Sequence, residues 1–240
     1  DRKAAKEERM SLQEEMYDLQ QRLYAAQDQR LLVVLQAMDA GGKDGTIRRV
    51  FEHVDPRGVR VSSFKTPSKK ELAHDYLWRI HQEVPEAGMI GIFNRSHYED
   101  VLAVRVHELV PEETWRARYE QINQFEALLT ETGTTVLKFF LHISRDEQKE
   151  RFQKRLDQPE KNWKFSVDDL AKREYWDDYM KAFEEMLNRC TTVAAPWYAI
   201  PADQKWYRNL AITQVLVDTL KQMDPQYPPP EPGLDKIQIK

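Results

Sequence analysis

The sequence has few of the residues that build disulfide frameworks or zinc sites. It contains one cysteine, Cys190, and six histidines among 240 residues. A single cysteine excludes an internal disulfide framework and suits a reducing compartment. Scattered histidines with one cysteine also argue against a zinc centre. The chemistry of this protein must therefore rest on other side chains.

Long apolar runs are also absent. The longest stretches, Leu31–Leu35 and Val136–Leu141, have the length of strands and fall well short of the ~20 residues that span a bilayer. No positively charged start leads into an apolar segment, so we expect a cytoplasmic protein with no membrane partner. The net charge of −4 gives no reason to expect nucleic acid as a partner, and an anionic substrate would need local basic clusters.

The chain length favours a single domain over residues 1–240. Apolar runs alternate with helical periodicity, which predicts a parallel sheet of about five strands in a three-layer αβα sandwich. The predicted strands are Leu31–Met38, Val59–Phe64, Met89–Phe93, Thr134–Ile143 and Trp197–Ile200. The predicted helices are Asp1–Asp28, Thr46–His53, Ser68–Glu83, His97–Leu109, Glu112–Thr132, Ser144–Leu156, Val167–Cys190 and Trp206–Met223, followed by a proline-rich tail over residues 224–240. Ligands of such folds bind at the carboxyl ends of the strands.

The first strand ends in a variant of a phosphate-binding loop. The pattern G-x-x-x-x-G-K-[ST] cradles phosphates with backbone amides and a lysine. Here Gly42 and Lys43 fit it, but Ala37 replaces the first glycine and Asp44 replaces the Ser/Thr. The loop residues that we expect to bind phosphate are Gly41, Gly42, Lys43, Asp44 and Gly45. The alternative is that these glycines only make a tight turn between a strand and a helix.

Asp39 is unexpected beside phosphates, since a carboxylate there is unfavourable unless it holds a cation or a proton. We interpret it as a magnesium ligand, direct or through water. Arg48, two residues past the loop, is a candidate phosphate contact, whereas Arg49 could equally lie on a solvated face.

The ends of the second and third strands add further polar residues. Lys65 is a candidate phosphate contact, while Lys69 and Lys70 are interpreted as surface charge. Asn94 and Glu99 are candidate metal ligands, and Arg95 would stabilise negative charge on a transferred group. The alternative is an ordinary loop in which Ser96 caps a helix toward Glu99.

Basic residues also cluster after the fourth strand. The members are Arg151, Arg155, Lys161 and Lys164, with Trp163 among them. This composition is typical of a mobile lid whose cations close over phosphates. Trp163 could instead pack beneath the loop.

Three long segments resemble one family closely. They are MDAGGKDGTIRRVFEHVDPRGVRVSSFKTPS (Met38–Ser68), GMIGIFNRSHYEDVL (Gly88–Leu102) and RLDQPEKNWKFSVDDLAKREYWDDY (Arg155–Tyr179). In this order they resemble the family-2 polyphosphate kinases, and the likeness covers roughly Ala26 to Tyr207. It implies a P-loop kinase fold related to thymidylate kinases, with a helical lid at about residues 151–179.

The resemblance also implies a reaction. It is reversible, Mg²⁺-dependent phosphoryl transfer between inorganic polyphosphate and purine nucleotides, commonly in a dimer or tetramer, with Mn²⁺ as an alternative metal. On that likeness Asp39, Lys43 and Arg95 fall on catalytic positions, and Arg151, Arg155 and Trp163 fall in the lid. The Asn94/Glu99 combination resembles the branch that accepts both AMP and ADP.

Two other functions compete with this one. An ATP-dependent nucleoside monophosphate kinase would need a base pocket for its donor, whereas polyphosphate needs only a basic groove, which Lys43, Arg48, Arg49 and Lys65 could line. A non-catalytic nucleotide- or polyanion-binding module would have no need for Asp39 and Glu99 at a phosphate site.

Overall fold

A computed structural model describes residues 1–234 and 237 of the chain. Its sheet has five parallel strands in the order β2-β3-β1-β4-β5. The strands are β1 (Arg30–Gln36), β2 (Val59–Ser63), β3 (Ile90–Asn94), β4 (Thr134–His142) and β5 (Trp197–Pro201). The central strand β1 is buried along nearly its whole length, as expected for a strand covered on both faces. The predicted α/β class and strand number are confirmed.

Helices cover both faces of this sheet. They are α1 (Arg2–Ala26), α2 (Lys43–Val50), α3 (Lys69–Leu72), α4 (Trp78–His81), α5 (Ala103–Val106), α6 (Glu112–Glu131), α7 (Arg145–Asp157), α8 (Val167–Glu174), α9 (Trp176–Cys190) and α10 (Lys205–Met223). Short 3-10 helices lie at Pro56–Gly58, His97–Asp100 and Pro159–Lys164. The helix α1 packs along α10, which gives the amphipathic N-terminal helix its apolar partner.

Two segments that were predicted as single helices are each divided into two short elements. Ser68–Glu83 is divided into α3 and α4, because the Asp75 carboxylate accepts hydrogen bonds from the backbone of Leu77 and Trp78 and starts a new turn. The capping box of Ser68 and Glu71 does form at the start of α3. The segment His97–Leu109 is likewise a 3-10 turn followed by the single turn α5.

The long helix predicted over Val167–Cys190 was also wrong, since it is interrupted at Tyr175. The backbone N–H of Tyr175 bonds the carbonyl of Lys172, which tightens the last turn of α8. The physical reason lies in burial: α9 buries one face in the core, whereas α8 has no fully buried residue. The break lets α8 lie over the ends of the strands.

The chain after Asp224 follows no regular element up to residue 233. The predicted tail over 224–240 also includes residues 235, 236 and 238–240, which lie outside the described residues. Within the described part, no helix combines the length and the apolar character that a membrane crossing requires.

Candidate active site

The loop after β1 holds a strained backbone. Ala40 has φ 60° and Gly42 has φ 103°, both in the left-handed region that favours glycine. A β-carbon on Gly41 would lie 2.5 Å from the Ala37 β-carbon, so the loop needs glycine there. Gly42 caps α2, which begins at Lys43. Backbone amides at the start of a helix favour anions, and this supports the prediction of a phosphate-binding loop.

Four charged side chains meet beside this loop. Arg95 Nη2 donates to Asp39 Oδ1 at 2.6 Å, and Lys172 Nζ lies 3.4 Å from Asp39 Oδ2. Burial by itself would raise the pKa of Asp39, but the positive charges of Arg95, Lys43 and Lys172 hold that pKa below its usual value. Asp39 is therefore ionised, and it sits among three cations. Glu99 and Asp44 also act on Lys43, so the cluster combines these cations with further carboxylates.

Lys43 is buried and donates from Nζ to the carbonyl of Ala37 at 2.9 Å. Burial, and next the positive charge of Arg95, lower the pKa of Lys43 to about 8. Arg95 itself has φ 64° directly after β3, a conformation that is uncommon for a side chain of this size and is often found at functional sites. Burial by itself would lower the pKa of Arg95, but the negative charges of Glu99 and Asp39 raise that pKa above its usual value.

The candidate metal ligands occupy the neighbouring strand ends. Glu99 Oε1 accepts from Gln36 Nε2 at 3.1 Å, and Asn94 Nδ2 donates to Asp44 Oδ1 at 2.7 Å. Ser96 caps Tyr98 rather than Glu99, so the Glu99 carboxylate does not close a capping box. The Oε1 of Gln36 is buried and has no hydrogen-bond partner among the described residues.

This donor set consists of oxygens, as Mg²⁺ prefers. In the described part of the chain, no three side chains of the types His, Cys, Asp and Glu come together as a ready metal cluster. Mg²⁺ is usually held by one or two carboxylates together with waters and substrate phosphates. Two carboxylates, Asp39 and Glu99, with the amide oxygens of Asn94 and Gln36, fit that kind of site.

A cavity of about 270 Å³ joins these groups to an apolar wall. Its polar end contains Asp39, Arg95, Glu99 and Lys172. The apolar wall is formed by side chains from the segment after β2, from α5 and the residues on either side of it, and from α9. Its members include Phe64, Pro67, Leu102, Val104, Leu109 and Phe183. A molecule with an apolar part and an anionic end matches this lining.

The predicted lid residues occupy two different places. Arg151 is buried, and its guanidinium donates to the carbonyls of Ala40, Gly41 and Ala202. Arg151 therefore fixes the backbone of the phosphate loop. Its predicted place in a mobile lid is wrong. Arg155 binds the Lys164 carbonyl and Asp169. Trp163 is 78% exposed, so it does not pack beneath the loop.

The remaining predicted contacts lie at the surface. Lys65 is exposed and lines the cavity. Lys164 is exposed and lies over the Trp163 ring. Arg48 is exposed, while Arg49 pairs with Glu52. This ion pair favours the interpretation of Arg49 as part of a solvated face.

Sequence reasoning missed several residues of the site. Lys172, which lies within the segment Arg155–Tyr179, has no predicted role. Gln148 has none either, although its Nε2 donates to the Asp39 carbonyl at 2.9 Å. Arg173 in turn donates to Gln148, so α8 is tied to the phosphate loop twice. Buried Arg79 lines the cavity beside Phe64. The signal for these residues was weak, because polar residues on helices usually face solvent.

Behind Arg95 lies a buried polar network. Lys138 Nζ, in the middle of β4, donates to Tyr98 Oη at 2.8 Å, to Glu126 Oε2 at 2.5 Å and to the Cys190 carbonyl at 2.7 Å. His97 Nε2 lies 3.2 Å from Glu126 Oε1. Burial alone would raise the pKa of Glu126, but the bond from His97 and the charge of Lys138 hold it below its usual value. The network holds the turn that follows Arg95.

The low pKa of Lys43 leads to a pH prediction. In metal-free buffer, the affinity for a phosphate-bearing anion is expected to fall above about pH 8, because Lys43 then loses the proton that attracts phosphate. Below that pH the cation is fully present, so the affinity levels off. Titrations between about pH 6.5 and 9.5 would measure this. Lys43→Met should remove the step, and an unchanged step in that variant would contradict the assignment.

The sequence of this chain is similar to that of several known proteins. The family described as Polyphosphate kinase 2 (PPK2) matches residues 1–228. An AMP/ADP-polyphosphate phosphotransferase of Meiothermus ruber is 57% identical over 216 residues, which are 90% of this chain and 81% of that protein. An ADP-polyphosphate phosphotransferase of Rhodopseudomonas palustris is 48% identical, over 88% of this chain and 78% of that protein.

A solved structure agrees with the sequence comparisons. The crystal structure of Polyphosphate Kinase 2 from Arthrobacter aurescens TC1 superposes with a TM-score of 0.94 at 44% identity. The match covers 96% of this chain and 83% of that one.

Proposed function

This chain belongs to the polyphosphate kinase 2 family, and on that premise we propose that it moves a phosphoryl group reversibly between inorganic polyphosphate and the nucleotides AMP and ADP. The observation that carries this proposal is the cavity in which an apolar wall leads to the group formed by Asp39, Lys43, Arg95 and Lys172. The apolar part suits a purine, and the cations suit the phosphates of both substrates. The family resemblance extends the proposal to a homodimer or homotetramer.

The mechanism follows from the charges. A terminal oxygen of the nucleotide attacks the end phosphorus of polyphosphate in line, and the bond between that phosphorus and the next bridging oxygen breaks. The products are a nucleotide with one more phosphate and a polyphosphate with one fewer. Nucleotide phosphates are already ionised near neutral pH, so no general base is needed. Catalysis rests on positioning and on charge stabilisation.

Each side chain has a distinct task in this proposal. Lys43 and Arg95 stabilise the charge on the equatorial oxygens of the transferred group. Asp39 orients Arg95 through the 2.6 Å ion pair, and Lys172 on α8 closes the site from the lid side. The oxygens of Asp39, Asn94 and Glu99 would hold Mg²⁺, or Mn²⁺ in its place, which neutralises phosphate charge when bound.

The first experiment measures nucleotide products. Purified protein is given long-chain polyphosphate with AMP or with ADP, each in Mg²⁺ and in a chelator. We expect ADP and ATP from AMP, ATP from ADP, and no product without the metal. A parallel reaction with ATP as donor and AMP as acceptor is the control for the donor.

The outcomes separate the competing functions. Turnover with ATP as the only effective donor would identify an ATP-dependent nucleoside monophosphate kinase. Tight binding of nucleotide or polyphosphate without any turnover would identify a binding module. Metal-independent turnover would contradict the roles given to Asp39 and Glu99.

A further inference from the structure

Two buried side chains of opposite charge lie beside the apolar wall of the cavity. Arg79 of α4 is 8% exposed, and Asp100, which ends the 3-10 helix after β3, is 9% exposed. Both line the cavity together with Phe64 and Leu102. The Arg79 guanidinium lies 5.7 Å from the centre of the Phe64 ring. Neither charge takes part in the phosphoryl transfer proposed above.

Asp100 has protein partners for only one of its carboxylate oxygens. Arg118 Nη1, from α6, donates to Asp100 Oδ1 at 2.9 Å and to the Asp100 carbonyl at 3.1 Å. Among the described residues, Oδ2 accepts no hydrogen bond, and it is not fully enclosed by protein atoms. Burial raises the pKa of Asp100 to about 6, against the opposing charges of Arg118 and Arg79. Well above that pH, Oδ2 is an acceptor available to a molecule in the cavity.

Arg79 supplies the complementary donors. Its Nη1 donates to the Lys65 carbonyl at 2.8 Å and lies 4.0 Å from Glu71 Oε1. Its Nε and Nη2 make no hydrogen bond to the described part of the chain, and neither atom is fully enclosed. A buried charge is unfavourable unless its polar atoms find partners. The cavity is therefore the place where the remaining donors of Arg79 can be satisfied.

Arg79 and Asp100 are near each other but are not paired. The charge of Arg79 acts on Asp100, yet no nitrogen of Arg79 lies within 4.0 Å of the Asp100 carboxylate. The two side chains thus leave a gap with a donor on one side and an acceptor on the other. A flat group that presents an acceptor next to a donor on one edge can bridge this gap.

Adenine presents that pattern, and guanine does not. On the edge that includes N7, adenine has the N7 acceptor beside its 6-amino donor, whereas guanine has two acceptors, N7 and O6. An oxygen at position 6 would face the Asp100 carboxylate without a proton between them. A site with a buried polar group rejects a ligand that leaves this group unpaired.

We propose that Asp100 and Arg79 select adenine over guanine in the acceptor nucleotide: Asp100 Oδ2 accepts from the 6-amino group, and Arg79 donates to N7. The inference rests on the proposed function and deepens it by naming the residues that determine base specificity. The base contacts are made before and during the transfer alike, so they act on KM and leave kcat nearly unchanged.

The test changes one group on the protein and one on the nucleotide. Wild type and Asp100→Asn are given ADP, GDP or purine riboside diphosphate, which lacks only the 6-amino group, with saturating polyphosphate at a pH well above 6. KM and kcat are measured for each acceptor. Asp178→Asn is the matched control, because Asp178 is exposed, pairs with Lys181 and does not line this cavity. Melting temperatures verify that the variants are folded.

We expect the wild type and Asp178→Asn to have a KM about tenfold lower for ADP than for GDP or the purine analogue. In Asp100→Asn, Arg118 takes the amide oxygen, so the amide NH₂ faces the base and a donor replaces the acceptor. The preference for ADP over the analogue should then disappear, and GDP should become at least as good an acceptor as ADP.

Arg79 is tested by a second pair of changes. 7-Deaza-ADP lacks the N7 acceptor, so its KM in the wild type should be about tenfold higher than that of ADP. In Arg79→Gln, ADP and 7-deaza-ADP should have KM values within about twofold of each other. This pair decides the inference if Asp100→Asn does not fold.

Two results would overturn the inference and leave the proposed function intact. One is a wild type that uses ADP, GDP and the purine analogue with equal KM. The other is an equal proportional rise of KM for all acceptors in Asp100→Asn and in Arg79→Gln, which would make both residues supports of the cavity wall only. A wild-type protein that transfers phosphate from polyphosphate to no nucleotide would instead contradict the proposed function, and the inference with it.

Discussion

Lys43→Ala and Asp39→Asn are each expected to lower kcat about 10³-fold or more while the protein stays folded. Lys43 begins α2 inside the phosphate loop, and Asp39 pairs with Arg95 at 2.6 Å. Removing Lys43 takes away the cation that the loop itself carries. Neutralising Asp39 removes the ion pair that orients Arg95, and it also removes a candidate metal ligand. Both changes act on charge that the transition state must spread over the transferred phosphate.

The measurement is the rate of ATP formation from ADP and polyphosphate, with circular dichroism to verify folding. Arg49→Ala is the matched control, because Arg49 is exposed near the end of α2 and pairs with Glu52 just beyond that helix. It should keep near-wild-type turnover. If Lys43→Ala or Asp39→Asn also kept it, the assigned site would be wrong.

The second large effect concerns stability. Lys138→Met is expected to lower the free energy of unfolding by about 3–5 kcal/mol, because it leaves the buried Glu126 carboxylate without its charged partner. Lys138 is fully buried and Glu126 is 1% exposed. Total stabilities of domains are only about 5–15 kcal/mol, so this loss is a large fraction. Urea unfolding followed by circular dichroism measures it.

Two comparisons make the interpretation specific. Lys138→Met combined with Glu126→Leu should recover much of the loss, since apolar side chains can replace a buried ion pair. Lys221→Met breaks an exposed pair with Glu15 and should change stability by no more than about 1 kcal/mol. A loss in Lys138→Met as small as in Lys221→Met would show that Glu126 finds another partner or a proton.

The same network links stability to the site. Tyr98 and His97 follow Arg95 in sequence, and both bond Glu126. Arg95 holds a positive φ, which persists only where surrounding contacts impose it. The buried pair on β4 and α6 supplies such contacts directly after Arg95.

Local patterns of the sequence determined the framework of the site. Apolar runs of strand length between helical segments predicted five parallel strands, and parallel strands bring their carboxyl ends to one edge. For that reason the sequence alone was enough to place Asp39, Lys43, Arg95 and Glu99 together, since each comes just after a strand. Their roles in phosphoryl transfer stay predictions, which the variants above test.

Only the tertiary structure decided which helices meet those strand ends. Lys172 reaches Asp39 from more than a hundred residues away, and Arg208 lies against Gly42 from even farther along the chain. Lys138 can lie in an apolar strand because Glu126 of α6 is placed beside it. Periodicity identifies the face of a helix that is buried, but it does not state what that face touches. Pairings between polar residues that are distant in sequence depend on how whole helices and strands pack. No short stretch of sequence determines this packing.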